Sequence, residues 1–216
     1  ERKRRDEQVA KLTRLYAVLS RVNELIVRAR DTKTLFAEVC QIVTQLGEFP
    51  LAWIGEVRGQ KVVPVAHSGP AADYLDEIVV EIDGPLGAGP SGTCIRENRT
   101  VINDNFSVNP HITPWRERAL RFGFLASAAF PLRLGGKPVA QLTLYARDAG
   151  AFDAEQVRLL EALSADLSYA LDALDQEQLR VRAEERTQLL SEVTAQLLAS
   201  GQPQQIVEVL CRRVME

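Results

Sequence analysis

The chain is 216 residues long, 46% hydrophobic and 25% charged, the make-up of an ordinary globular protein with enough chain for one good core plus extensions. A formal net charge of −3 gives no general attraction to nucleic acid or anionic lipid. With no apolar run of about 18 residues and no signal-peptide core, this piece is expected to make no membrane contact. Cys40, Cys94 and Cys211 are odd in number and lack C-x-x-C spacing, which points to the cytoplasm and away from a disulfide scaffold or zinc knuckle.

In chain order, the basic run Arg2–Arg5 is diluted at once by Asp6 and Glu7 and reads as a solvated helix face. Val9, Leu12, Tyr16, Leu19, Asn23 and Ile26 then alternate steps of three and four, a coiled-coil seam with Asn23 at a core position, where a lone Asn fixes register. Asp31-Thr32 opens a second helix through Leu35, Phe36, Val39, Ile42 and Val43. It ends near Gly47, which is expected to supply the left-handed C-terminal conformation. Leu51–Val57 and Lys61–His67 read as a hairpin about Arg58-Gly59-Gln60. Ala71–Glu77 is expected to be a short helix and Ile78–Ile82 a third strand.

Asp83–Gly92 holds four glycines and two prolines in ten residues, a shaped loop that leads into a short helix over Thr93–Asn98. Thr100–Asn103 should be a strand, Phe106–Pro114 a loop, and Pro114–Arg121 a helix with Pro in its first turn, where a missing N–H costs nothing. Ala126–Leu134 and Pro138–Ala146 form a second hairpin around Gly135-Gly136. From Asp153, the residues Val157, Leu160, Ser164, Leu167, Leu171, Leu174 and Val181 keep heptad spacing, interrupted by Gln178, with no Pro or Gly until Gly201. That helix is long enough to leave the domain as a connector.

Leu19–Val43 and Leu190–Val214 repeat one pattern at an offset of 171: Leu-Ser-x-Val at Leu19 and Leu190, Leu35 against Ile206, and Cys40 against Cys211. With Glu1 in place of Met and Glu216 inside the second copy, the chain reads as a piece of a tandem array. The expected organisation is a linker helix over 1–18, one domain over 19–174, a connector helix over 175–189, and the opening helices of a second repeat over 190–216.

Antiparallel hairpins, short helices between them and long amphipathic helices at each end describe an α+β fold. Gly89-Pro-Ser-Gly-Thr-Cys-Ile-Arg96, followed by Asn103-Asp104, Asn109-Pro110, Pro114-Trp115-Arg116, Gly123, Ser127, Pro131-Leu132, Leu142-x-Leu-Tyr145, Ala151-Phe152 and Glu155, resembles the GAF sensory domains of bacterial signalling proteins. The similarity covers about Leu19 to Leu174. It implies a GAF/PAS-like central antiparallel sheet of about six strands, an unidentified small-molecule ligand on one face, and terminal helices on the other that form a parallel homodimer. It also implies a downstream signalling domain in the full-length protein, such as a histidine kinase or diguanylate cyclase.

The residues expected at the ligand site are Gly89, Ser91, Thr93, Cys94, Asp104, Trp115, Phe124 and Ser127, from the segments where the family keeps its pocket. A Gly-rich loop entering a helix presents free N–H groups suited to an anion or carbonyl oxygen, yet it lacks the G-x-x-x-x-G-K-[ST] pattern, and turn glycines are equally explained by loop geometry. Trp53 is assigned to the core, whereas Trp115 is either core or pocket wall. Asp104 either binds a ligand amine or hydroxyl or makes a turn with Asn105. Cys94, in the first turn of its helix, would be reactive if exposed and inert if buried. Methionine sulfoxide reductases of GAF type cluster several cysteines around the pocket, and phytochrome-type domains attach a bilin to one. Here Cys40 and Cys211 belong to a helix register. His67 and His111 have no companion ligands at metal spacing, so no metal is expected, and no cofactor is named by the sequence. No nucleophile–base motif is present, and the cyclic-nucleotide signature of the family is missing. The reading is a non-enzyme sensor, with a sulfoxide-reductase-like enzyme or an empty dimerisation spacer as alternatives.

Overall fold

The computed structural model describes residues 2–200, without the side chains of residues 3, 4 and 197–200. The second-repeat positions Ile206, Cys211 and Val214 lie outside the described residues. The described residues fall into two units, 2–172 and 173–200.

In the first unit, α1 (Arg2–Arg28) leads into α2 (Thr32–Gly47), whose N-terminus is capped by Asp31: its carboxylate accepts the Thr34 N–H at 2.8 Å. The left-handed position at the end of α2 is Glu48 (φ 58°), one residue past the expected glycine. Gly47 is the last helical residue, and a Cβ there would fall 2.8 Å from the Phe49 ring. Close approach, not left-handed φ, is what requires glycine.

The sheet comprises β1 (Leu51–Arg58), β2 (Lys61–Ser68), β3 (Val101–Asn103), β4 (Ala126–Leu134) and β5 (Lys137–Ala146), all antiparallel in the order β2-β1-β5-β4-β3. Five strands replace the expected six because Ile78–Ile82 does not become one. It touches the sheet only through a bridge between Glu81 and Lys61, with Val62 N–H donating to Val80 O and Ile82 N–H to Gln60 O. Before it, Ala72–Glu77 is a 3-10 turn. α3 spans Pro90–Glu97, three residues earlier than expected, with Pro90 at its first turn, and α4 spans Thr113–Arg121.

Strand pairing sorts the side chains by face. Trp53, Thr143 and Ala129 lie across from one another, as do Leu51, Tyr145, Ser127 and Asn103, on the side covered by α3, α4 and the 72–89 segment. Ala52, Ile54, Leu142, Leu144, Ala128 and Phe130 face the other side, where α2 packs on β1 and β2 and α1 packs on α2 through Leu15, Val18, Val22 and Leu25.

α5 (Ala154–Ser200) begins in the first unit. Leu160, Ser164, Leu167 and Leu171, expected in a dimer seam, are buried there against the chain's own sheet. Ser164 donates to Pro131 O, the Ser168 hydroxyl accepts the Arg133 N–H at 3.0 Å, and Asp172 accepts the Gly135 N–H at 2.7 Å. In the second unit α5 continues without interruption to Ser200, with Gln178, Leu179 and Val181 exposed. On α1 the expected seam stripe stays outward: Val9, Tyr16 and Asn23 are exposed and Leu12, Leu19 and Ile26 half-buried.

Candidate functional site

Alternation along β5 aims Gln141, Thr143 and Tyr145 at the α3–α4 side, and β4 adds Ser127 between Tyr145 and Asn103. Over these strands the chain builds an aromatic layer. Tyr145 lies 4.6 Å from Phe124, 5.1 Å from Tyr74 and 6.1 Å from Phe106, between ring centroids. Burial pushes the Tyr74 phenol up to about 12 and the Tyr145 phenol well above its ordinary value, so both stay neutral.

Within this layer a narrow cavity has a free volume of about 20 Å³, room for one water. Its walls are Tyr74, Ile78, Val80, Gly89, Pro90, Ser91, Phe106, Ile112, Trp115, Ser127, Thr143 and Tyr145. Thr143 donates to Gln141 Oε1, which leaves the Ser91 hydroxyl to donate to Thr143 Oγ1 at 3.0 Å. Among the described residues, Asn103 Nδ2 and Gln141 Nε2, both on this face, are buried donors without a partner.

The roof is the 72–82 segment, and α4 holds it down. Trp115 Nε1 donates to Val79 O at 3.0 Å. Arg118 donates from Nε to Tyr74 O at 2.9 Å and from Nη2 to Asp73 O at 2.6 Å, pairs with Glu77, and lies over the Tyr74 and Phe122 rings. Gly89 lies directly under Trp115: a Cβ there would meet the indole at 2.6 Å.

Of the eight expected site residues, Gly89, Ser91, Trp115 and Ser127 line this cavity. Phe124 is fully buried one layer away, against Tyr74 and Tyr145. Thr93 turns its hydroxyl to the Arg96 guanidinium at 3.1 Å, and Arg96 in turn donates to the Ile82 and Gly87 carbonyls at 2.6 and 3.0 Å. The glycine loop thus offers carbonyls to α3 in place of N–H groups to an anion. Asp104 is exposed, because alternation on β3 points Asn103 inward, and Asn105 makes the turn by accepting the Ser107 N–H. Cys94 sits in the second turn of α3 and is fully buried, the inert one of its two alternatives, with desolvation lifting its thiol to about 12. Cys40 is equally buried and raised to about 12, on α2 across the sheet. Trp53 takes its core place. The space at the expected site is small, about 20 Å³, less than a small organic molecule fills. Tyr74, Ile78, Val80, Phe106, Ile112, Thr143 and Tyr145 were missed, although period-2 alternation on β5 was a usable signal for two of them.

A larger concavity of about 470 Å³ lies between α1, the end of α2 and the start of α5, lined by residues including Lys11, Arg14, Glu48, Phe49, Arg147 and Gln156. It is an open groove of mixed charge, with Arg14 paired to Glu48 at 3.4 Å. The convergence of hydroxyls, rings and unbonded donors makes the smaller cavity the better site despite its size. Among the described residues no group of three or more His, Cys, Asp or Glu is placed to hold a metal, and no helix is long and apolar enough to cross a membrane.

The GAF domain family profile matches residues 29–172. The chain belongs to the GAF family. Among solved structures, it resembles the free methionine-R-sulfoxide reductase of Neisseria meningitidis in complex with its substrate, with 17% identity over 76% of this GAF chain and 91% of that one, and a TM-score of 0.64. It also resembles the nlh2 GAF domain of A. aeolicus in an inactive state, at 14% identity, 76% and 98% coverage and a TM-score of 0.60. A third is the GAF domain of an Acinetobacter phosphoenolpyruvate-protein phosphotransferase, at 14%, 76% and 96%, with a TM-score of 0.58. A comparison with curated proteins gives no match. At these identities the neighbours establish the fold, and the fold carries both sensors and enzymes.

Proposed function

We propose that this GAF domain is a non-catalytic small-molecule sensor and dimerisation module of a multidomain bacterial signalling protein in the cytoplasm, a histidine kinase, diguanylate cyclase or similar transmitter. The observation that carries the reading is the roofed cavity: a wall of hydroxyls and rings under a segment held by Trp115 and Arg118. A ligand that separates roof from α4 selects an open conformation over the closed one. β4 gives that change a route, since it bears Ser127 in the cavity at one end and the Pro131 and Arg133 contacts to α5 at the other. The outward stripe of α1 supplies a surface for a second copy in a parallel homodimer, with Asn23 facing the partner. No nucleic acid or membrane partner is assigned.

The competing reading is the activity named for the Neisseria neighbour, reduction of free methionine-R-sulfoxide. It is disfavoured because the described cysteines, Cys40 and Cys94, are buried with thiols near 12, and neither lines the cavity. A thiol-dependent turnover assay on free methionine-R-sulfoxide decides between the two. Absence of turnover, together with saturable movement of the Trp115 indole N–H signal on adding a small molecule, is the expected pair of results; thiol-dependent turnover would make the chain an enzyme. Sedimentation at micromolar concentration should give a dimer, and a monomer would remove that part.

A further inference from the structure

The cavity has a property that narrows its ligand. None of its wall residues carries a charge at neutral pH: they include no Asp, Glu, Lys, Arg or His, and the phenols of Tyr74 and Tyr145 are neutral there. The cations nearest it are turned away: Arg118 is engaged by Tyr74 O, Asp73 O and Glu77, and Arg116 donates to Phe106 O at 3.1 Å and Asn109 O at 2.6 Å. A charged ligand closed in this space would lose its hydration with no opposite charge to offset the loss. One polar side chain is nonetheless free to serve a ligand. Ser127, 1% exposed, lines the cavity, and its hydroxyl has no hydrogen-bond partner among the described residues.

We infer that the pocket takes an uncharged small molecule with a ring or compact apolar body and one hydrogen-bonding oxygen or nitrogen set against Ser127 Oγ, and that it rejects carboxylate and ammonium-type analogues. The inference rests on the sensor reading above and adds the ligand's charge class. It separates this site from one built for a free amino acid, whose zwitterion needs charged partners. Because the space now holds about one water, entry requires the 72–82 roof to lift from Trp115, so occupancy and breakage of the Trp115–Val79 bond go together.

The test uses three near-isosteric probes of different charge: benzamide, benzoate and benzamidinium, titrated at neutral pH into the full chain labelled with ¹⁵N. Trp53 and Trp115 are the chain's two tryptophans, so their indole N–H signals report from beside the cavity without ambiguity. Benzamide is expected to shift the Trp115 signal saturably at millimolar concentration, and benzoate and benzamidinium to bind at least roughly tenfold more weakly for want of a partner charge. Ser127→Ala should weaken benzamide by roughly fivefold, about one lost neutral hydrogen bond. If benzoate or benzamidinium binds as tightly as benzamide, the charge class is overturned while the sensor reading stands. If benzamide binds equally to Ser127→Ala, the Ser127 contact is overturned. If no probe moves either indole signal up to its solubility, the pocket does not open, and the sensor reading fails together with this inference.

Discussion

The two sides of the one sheet are built from different chemistry. On the helix side, Ile54, Leu142, Leu144, Ala128, Phe130 and Leu132 are fully buried hydrocarbon. On the other, the same strands present Trp53, Thr143, Gln141, Tyr145 and Ser127, buried to the same degree yet carrying polar atoms, and among the described residues the Asn103 and Gln141 amide N–H groups of that face are unpaired. Unpaired buried donors cost stability, so the second face is not packed for stability alone. One side is hydrocarbon packing throughout, and the other accepts a less favourable arrangement around the cavity.

The largest effect should come from the helix side. Phe130→Ala removes a fully buried ring among aliphatic neighbours and is expected to cost about 3–5 kcal/mol in urea unfolding. Ser127→Ala, on the facing strand surface of β4, should stay within about 1 kcal/mol of the parent, because its hydroxyl has no partner to lose. Equal losses for the two variants would end the contrast between the sides.

Next is the roof. Arg118 is 19% exposed and its guanidinium meets two backbone carbonyls, so Arg118→Met, which keeps the stem, should cost about 1–2 kcal/mol. The sharper readout is hydrogen exchange. The Tyr74, Ile78 and Glu81 amides, bonded to Ala71, Leu75 and Leu86 carbonyls, should exchange faster while β4 and β5 amides hold their protection. Uniform acceleration would mean that Arg118 stabilises the domain as a whole and latches nothing.

Both sides share one negative property, which alkylation measures. With thiols near 12, only about one part in ten thousand of Cys40 or Cys94 is thiolate at pH 8. Peptide mapping after native iodoacetamide treatment should find both unmodified. Rapid labelling of Cys94 alone would place a reactive thiol on the pocket side and revive the redox alternative.

The sides also differed in how far the sequence disclosed them. The hairpins came within a residue or so of their limits, since β-branched and aromatic runs around Arg58-Gly59-Gln60 and Gly135-Gly136 carry their own turn signal. α2 announced itself through Asp31. Ile78–Ile82 has the composition of a strand, but β2 pairs fully with β1 and offers the segment one bridge, a fact of tertiary pairing that local propensity does not contain. The start of α3 hid behind Pro90 and Gly92; the latter is glycine because a Cβ would fall 2.3 Å from Glu81 O, an approach between distant segments. Half of the expected site residues reached the cavity. Asp104 failed by one step of strand alternation, and Tyr74, Phe106 and Ile112 come from irregular segments whose facing is set only when they fold over the sheet. The α5 heptad was real as a pattern, and Leu160 to Leu171 spend it on the chain's own sheet.

The smallest expected effect is at acid pH and belongs to the helix side. Asp31 caps α2, and the Thr34 N–H bound to its carboxylate holds its pKa below the ordinary 3.8. A carboxylate lowered in the folded state contributes stability that is present above the unfolded value and lost as pH falls through the folded one. The pocket side adds nothing there, because Tyr74, Tyr145 and Cys94 are displaced upward and stay protonated throughout the acid range. Their contribution is present below the unfolded pKa and disappears as pH rises through the alkaline range. Asp31→Asn should therefore flatten the fall in melting temperature below pH 4 and leave the alkaline limb unchanged, whereas Tyr74→Phe should flatten only the alkaline limb. Thermal denaturation followed by circular dichroism at both extremes separates the two. An Asp31→Asn variant that melts like the parent at every acid pH would show that the cap carries no acid sensitivity. A Tyr74→Phe variant with an altered acid limb would show that the two faces of the sheet are not electrostatically independent.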